Sequence, residues 1–296
     1  MYWTKQFSAR KIWSCFRKKW SGSKHVIIFG RHSEDWMSAL HPSALVWKQL
    51  TEIRSVQIIS SANEIPKTSR RRNLSTVIIP LMESHLYEMP ANFTSLTSQP
   101  ELVCLMADKL QLTDNLIANG FAQYVPKTWT NPADSVFPCV IKRRELNGGQ
   151  GIQILRSFQE LDTVLIEPEF VGKPYFFQNL VSSNVEYVCH IVALDGEVLF
   201  SNYFEYLMLD SERVRGQESP ATITDLGPLI NCEISKVFKK IIRHLNYSGP
   251  CNIDFKLING VPRIFEINPR LGGSLMAGKN LPVLANMLRT ILRTAS

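Results

Sequence analysis

The sequence predicts a mixed α/β and α+β fold, with an open α/β domain over residues 25–100 and a larger domain over 101–296. Three observations predict it. Short apolar runs alternate with helical stretches between residues 25 and 80, the pattern of parallel β-α units. A glycine-rich turn, Asn147-Gly148-Gly149-Gln150-Gly151, joins two apolar strands. A second pair of strands, within Cys251 to Asn268, turns at Asn259-Gly260, the strongest short hairpin signal.

Composition sets the class. A chain of 296 residues can build one large core or two or three linked lobes. No apolar run is long enough to cross a bilayer, and the N-terminus lacks the uninterrupted apolar core of a signal peptide. The six cysteines are scattered with no C-x-x-C pair, which argues against structural zinc and against a disulfide framework. Reduced thiols in a cytoplasmic protein are the expectation. The net charge of +7 is partly local, because residues 1–24 carry seven basic side chains and no acid. The remainder is near balance, so no nucleic-acid partner is expected.

Residues 1–24 form a separate basic segment. Ile12, Trp13, Phe16 and Trp20 share one helical stripe, which suits packing on the domain behind it, a targeting role, or contact with an anionic membrane surface or a partner. His25 to Gly30 reads as a buried strand, Asp35 to Ile53 as a helix, Val56 to Ser60 and Val77 to Pro80 as further strands. No G-x-G-x-x-G follows the first strand, so a dinucleotide site is not supported. Arg70-Arg71-Arg72 reads as an exposed, solvated loop. Pro100 opens a helix over Glu101 to Asn119 that Gly120 stops, with Asp108-Lys109 inside it.

The next strand ends in Lys142, and the glycine turn leads to a second strand, Ile152 to Leu155. Glycines at 148, 149 and 151 let backbone N–H groups approach phosphate oxygens without a Cβ in the way, and Lys142 adds a point charge. The G-x-x-x-x-G-K-[ST] spacing is absent, so this is no Walker A loop. Taken alone it is a tight turn. Tyr175 to Val192 reads as strand, short Ser-Ser-Asn loop and strand, and Asp195-Gly196 as a further hairpin turn. His190 on that strand reads as a hydrogen-bonded core histidine. Residues 205–228 read as irregular, with Arg213 and Arg215 as anion-binding candidates or solvated loop charges. Helices are expected over Asn231 to Leu245 and Pro282 to Thr294, with Lys279 a further candidate to face the site.

The hairpin near the end carries the most chemistry. Glu266 and Asn268 lie two apart, on one face of a strand, and Asp254 faces them from the neighbouring strand. Three hard oxygen donors suit Mg²⁺ that also coordinates substrate phosphates. Arg270 follows, where a guanidinium grips a carboxylate or phosphate bidentately. Taken alone, Asp254 is a surface acid and the string a polar-edged hairpin.

The string FEINPRLGGS, with Asp254 upstream, resembles the C-terminal metal strand of the ATP-grasp superfamily. It is more similar to the carbamoyl phosphate synthetase, biotin carboxylase and amino-acid ligase branch than to the D-alanine–D-alanine ligase branch. The resemblance covers roughly residues 100–296 and implies a two-lobed domain over 101–296, an open α/β domain ahead of it, and the rest of the site. Asp254, Glu266 and Asn268 are expected to hold Mg²⁺ (or Mn²⁺) on ATP, and Arg270 to assist the reacting carboxylate and phosphate. Lys142 and the glycine hairpin resemble the mobile lid, within a lobe of about 128–180. Lys109 is placed to reach the phosphates, Gln178-Asn179-Leu180 to read the adenine edge at the hinge, and Glu186 to bind the ribose. Without the resemblance, Lys109 reads as a solvated helix lysine and Glu186 as an exposed strand acid. The implied activity is ATP-dependent ligation of a small carboxylate, such as an amino acid, to an amine or thiol through an acylphosphate, with ADP released. A non-catalytic ATP-binding regulatory or scaffold module is the alternative, and a homo-oligomer is compatible with either.

Overall fold

The computed structural model describes residues 24–64, 76–89, 94–146, 148–212, 214–217, 220–228 and 232–295. The basic segment up to residue 23, the cluster Arg70-Arg71-Arg72, Asn147 and Arg213 lie outside the described residues.

The chain starts on strand β1 (Lys24–Phe29), then runs through the short helices α1 (Glu34–Ala39) and α2 (Leu45–Lys48) to β2 (Ile53–Ile59), β3 (Thr76–Pro80) and helix α3 (Glu83–Glu88). The three strands form a parallel sheet in the order β2-β1-β3. Central β1 buries Val26, Ile27, Ile28 and Phe29 almost completely, which is why it reads as an unbroken apolar run. The single helix expected over Asp35 to Ile53 is instead two short helices. Pro42 lies in the break, and its ring and missing N–H disfavour a continuous helix there. Strand β2 takes the released residues and begins at Ile53 rather than Val56.

The helix expected over Glu101 to Asn119 is also interrupted. Helix α4 (Pro100–Ala107) ends at Asp108, and α5 (Lys109–Leu116) begins at the next residue. Asp108 adopts extended backbone, and its carboxylate accepts hydrogen bonds from the Leu110 and Gln111 N–H groups, both at 3.1 Å. An aspartate in that position caps a new helix rather than continuing the old one. Lys109 therefore sits in the first turn of α5. Gly120, at φ 84°, ends the run as expected.

A four-stranded antiparallel sheet follows, in the order β4-β7-β5-β6, from β4 (Thr128–Trp129), β5 (Cys139–Arg143), β6 (Ile152–Leu155) and β7 (Tyr175–Asn179). Helix α6 (Phe158–Leu165) buries Leu161 and Val164 against Cys139, Ile141, Leu155 and Phe177 of this sheet. The chain leaves it at Asn179 and enters a five-stranded antiparallel sheet ordered β10-β9-β8-β11-β12. Its strands are β8 (Val185–Leu194), β9 (Glu197–Leu207), β10 (Thr222–Gly227), β11 (Gly249–Ile258) and β12 (Val261–Asn268). The region expected to be irregular over 205–228 is partly sheet, because β10 pairs along the outer end of β9.

Alternation sorts the central strands. Cys251, Ile253 and Phe255 of β11 pack against Phe238, Ile241 and Ile242 of α7 (Glu233–His244). Asn252, Asp254 and Lys256 project to the other face. There, towards one end, α8 (Leu281–Thr294) packs Leu284, Leu288 and Ile291 with Val188 and Val192 of β8 and with Val26 of the N-terminal sheet. This is the mixed α/β, two-lobed architecture that the sequence predicts.

Candidate active site

A cavity of about 490 Å³ lies between the four-stranded and five-stranded sheets, within the usual range for small-molecule sites. Every residue that the resemblance implies for the site lines it except Gly151. Gly151 instead lets β5 and β6 close together: at φ +63° a Cβ there would stand 2.4 Å from Arg143 Cγ.

The floor is the β11–β12 hairpin. Asn259 and Gly260 take positive φ in its turn, and the register sets Asp254 directly opposite Glu266. A bulge follows, because Phe255 pairs with Ile264 and leaves Phe265 as the extra residue. The bulge brings Phe265 and Glu266 together onto the cavity wall. Asn268 Nδ2 donates to Glu266 Oε1 and to Asn252 Oδ1, each at 3.1 Å. Glu266 Oε2 stands 3.3 Å from the Lys109 ammonium. Asp254 Oδ2 stands 2.6 Å from an Arg215 nitrogen, while its Oδ1 is buried with no hydrogen-bond partner among the described residues.

The two carboxyls diverge. Burial pushes Asp254 well above the usual carboxylate range against the pull of Arg215. Burial also opposes ionisation of Glu266, but Lys109 and the hydrogen bonds from Asp254 and Asn268 outweigh it and hold Glu266 below that range. The proton of the pair belongs on Asp254 and the charge on Glu266. Among the described residues no cluster of three or more His, Cys, Asp and Glu side chains is arranged to hold a metal. The donor set here is two carboxylates and an amide oxygen, hard ligands of the kind that Mg²⁺ takes, and the orphaned Asp254 Oδ1 fits such an ion.

The wall above belongs to the smaller sheet. Lys142 lies 4.8 Å from the centre of the Phe265 ring, and burial brings its pKa down to about 8 despite the nearby Glu266 charge. The Lys109 ammonium also donates to the Leu146 carbonyl. Arg144 Nε donates to the Asp108 carboxylate at 3.0 Å, and the Lys109 N–H donates to the Arg144 carbonyl, also at 3.0 Å. The Asp108 cap thus ties the start of α5 to the strand that leads into the glycine turn.

A second loop closes on that turn. Gly216, at φ +99°, lies so near the Gly148 carbonyl that a Cβ would meet its oxygen at 2.3 Å. Gln217 Nε2 donates to the carbonyls of Gly149 at 2.8 Å and Ile152 at 2.6 Å. From the same loop Arg215 reaches to the floor, 2.5 Å from Glu186 Oε1, with its guanidinium 4.9 Å from the Tyr206 ring centre. Of the two arginine candidates, Arg215 is therefore in the site.

The linker residues Gln178, Asn179, Leu180 and Val181 wall the end near Glu186. Lys256 lies there too, 4 % exposed, with its ammonium 3.3 Å from the Val181 carbonyl. At the opposite end Arg270 Nε donates to Glu83 at 3.1 Å, and His32, Trp36 and Met82 of the N-terminal region complete the wall. His32 stacks on Trp36 with ring centres 4.1 Å apart. Sequence reasoning missed Lys256, His32, Trp36, Met82 and Glu83, which carry no local motif. Lys279 does not line the cavity and donates to the Ile223 carbonyl at 2.7 Å. His190 is buried and hydrogen-bonded to Ser274 Oγ at 2.6 Å, as a core histidine should be.

A family model described as an ATP-grasp domain matches residues 106–274, more than half of the chain and the whole stretch from Lys109 to Arg270. The chain belongs to the ATP-grasp family. Among curated relatives it is 26 % identical over 186 residues to the arginine-specific carbamoyl phosphate synthase large chain of Bacillus subtilis, covering 60 % of this chain and 17 % of the relative. It is 28 % identical over 138 residues to the acetyl-CoA carboxylase of Dictyostelium discoideum, covering 46 % and 6 %. The ATP-grasp chain thus spans less than a fifth of the length of these relatives. Among solved structures, D-alanine–D-alanine ligase from Bacillus anthracis superposes with a TM-score of 0.59 at 14 % identity, covering 93 % of this chain and 97 % of that one. Phosphoribosylamine–glycine ligase from Thermotoga maritima gives 0.60 at 19 %, covering 85 % and 70 %. These likenesses show a shared fold. The sequence relatives include the carbamoyl phosphate synthase branch that the FEINPRLGGS string resembles.

Proposed function

We propose that this ATP-grasp protein is an ATP-dependent ligase that joins a small carboxylate, such as an amino acid, to an amine or thiol through an acylphosphate, releasing ADP. The observation that carries the reading is one cavity that joins a glycine hairpin and two buried lysines to the facing pair Asp254 and Glu266, with Arg270 at its far end. The solved neighbours include an L-amino acid ligase from Bacillus licheniformis, which supports an amino-acid-like substrate.

In this reading Gln178, Asn179 and Leu180 hold the adenine and Glu186 the ribose hydroxyls. The glycine-turn amides at Gly148 and Gly149 cover the phosphates, with Lys142 and Lys109 supplying positive charge. Gly151 supports that turn from behind. Asp254, Glu266 and Asn268 would hold Mg²⁺ or Mn²⁺, whose chemistry is to neutralise the triphosphate. Arg270 grips the substrate carboxylate, which attacks the γ-phosphorus as the bond to ADP breaks. The amine then attacks the acyl carbon and phosphate leaves. The chain's contribution is positioning and charge stabilisation, with no nucleophilic side chain required.

The test is ADP release with Mg²⁺-ATP across amino acids and small carboxylates paired with amines, comparing wild type with Glu266→Ala. Substrate-dependent ADP release that falls by about a hundredfold or more in the variant is expected, the usual scale for removing a group that stabilises transition-state charge. Calorimetric ATP binding without turnover on any pair would make the protein a nucleotide-binding module. Absence of ATP binding would refute the proposed function outright.

A further inference from the structure

The linker end of the cavity holds two polar groups whose hydrogen-bonding capacity the protein does not use. Gln178 is 1 % exposed, lines the cavity, and has an amide nitrogen with no partner among the described residues. Lys256 is 4 % exposed and lines the same wall, and among the described residues its ammonium makes one hydrogen bond, at 3.3 Å to the Val181 carbonyl. An ammonium has three donors and no acceptor, so two remain. A buried lysine at this depth costs stability unless those donors are met. Polar groups this buried and this unsatisfied, facing a cavity, call for a ligand with matching atoms.

The two side chains differ in what they accept. An amide presents a donor or an acceptor depending on which way it is turned, and so serves a 6-amino purine or a 6-oxo purine. Lysine only donates. It pairs with both the O6 and N7 acceptors of a 6-oxo purine, whereas adenine offers it N7 alone at that edge. The Glu186 charge acts on the Lys256 ammonium, but the direct partner of its Oε1 is Arg215, at 2.5 Å.

Resting on the proposed nucleotide site, we infer that Lys256 and Gln178 are a base-reading pair, and that this cavity takes 6-oxopurine triphosphates as well as ATP. Lys256 is the residue that sets the choice. Lys256→Met keeps the stem and removes the donors. Removing one buried charge costs stability where an opposite charge is left behind, so the fold of Lys256→Met is checked by circular dichroism before binding is measured. Lys256→Arg keeps the donors.

The experiment is calorimetric binding of ATP and ITP, each with Mg²⁺, to wild type, Lys256→Met and Lys256→Arg. ITP is the probe because it differs from ATP only in the 6-oxo group and the N1 proton that goes with it. Wild type is expected to bind ITP within about tenfold of ATP. Lys256→Met is expected to weaken ITP by about tenfold or more beyond any effect on ATP, in line with the loss of one base-edge contact, and Lys256→Arg to retain ITP binding. Tight ATP binding with ITP weaker by more than a hundredfold in wild type would overturn the inference while leaving the proposed function standing. An equal loss of both nucleotides in Lys256→Met would also overturn it, placing the ammonium on N7, ribose or phosphate. Binding of neither nucleotide by wild type would remove the proposed function and this inference together.

Discussion

Replacing Arg215 by Met removes the guanidinium that spans Glu186 and Asp254 at 2.5 and 2.6 Å. Both acids are buried, with side chains 10 % and 7 % exposed, and Arg215 itself is 23 % exposed. The contact with the Glu186 carboxylate, with charge centres about 4 Å apart, is worth about 4 kcal/mol at an effective dielectric of about 20. Desolvation offsets part of that gain. Breaking a buried pair by removing one partner costs about 3–5 kcal/mol, because the remaining charge is left uncompensated. Two considerations set the expectation at the low end, about 3 kcal/mol. A quarter of the arginine already meets solvent, and Asp254 holds a proton readily, so the acid that suffers most is Glu186. For a domain of this size about 1 kcal/mol shifts the melting temperature by about 2 °C, so a fall of about 6 °C is expected. The assay is thermal unfolding by circular dichroism at neutral pH. Repeating it with millimolar Mg²⁺ or Mn²⁺ should raise the variant more than the wild type, since Asp254 is then free to ligate. A fall of less than 1 °C would show that the Arg215 contacts behave like a surface pair, and would refute the account of the site as a buried charge network.

Other expectations follow from the same geometry. Lys142 titrates near 8 when folded and near 10.5 otherwise, so the unfolded chain binds more protons between those values and stability should rise with pH across that window. ATP affinity should fall over the same rise as Lys142 loses its charge, and calorimetry at pH 7 and 9 checks this, with Lys142→Met flattening the difference. Gly149→Ala places a Cβ 2.7 Å from the Arg215 carbonyl at a φ of +77°, so ATP binding should weaken by about tenfold or more, read by calorimetry, as the two loops are forced apart. Asp108→Ala removes the α5 cap and the partner of Arg144, and should cost about 1–2 kcal/mol in urea unfolding while weakening ATP binding through the displaced Lys109.

What the sequence discloses is local. Asn259-Gly260 declares its turn because few other dipeptides accept two positive φ values, and strand alternation then carries Asp254, Glu266 and Asn268 to one face without tertiary information. The β5–β6 glycine turn is legible for the same reason. The Asp108 break was hidden because an aspartate inside an apolar-periodic stretch satisfies a helix pattern equally well as an interior residue or as a cap. Lys256 follows the alternation of β11 and so reads as a solvent-facing lysine. Only the packing of β11 between β8 and β12, under the linker at Val181, buries it. His32, Trp36 and Met82 lie in the N-terminal region beside the first sheet and meet the cavity across long stretches of sequence, as Trp36 does beside Gly273, which no window of neighbouring residues contains.

Three consecutive residues, Arg215, Gly216 and Gln217, touch both the floor and the mouth of the cavity. The carbonyls at Gly149 and Ile152 and the carboxylates at Glu186 and Asp254 therefore answer to one short peptide. An outward swing of the glycine hairpin would break the Gln217 bonds and tug the guanidinium from its acids in the same movement, so access and charge would answer to a single mechanical linkage. A spectroscopic label placed beside this peptide would report the opening of the mouth and the charging of the floor in one trace.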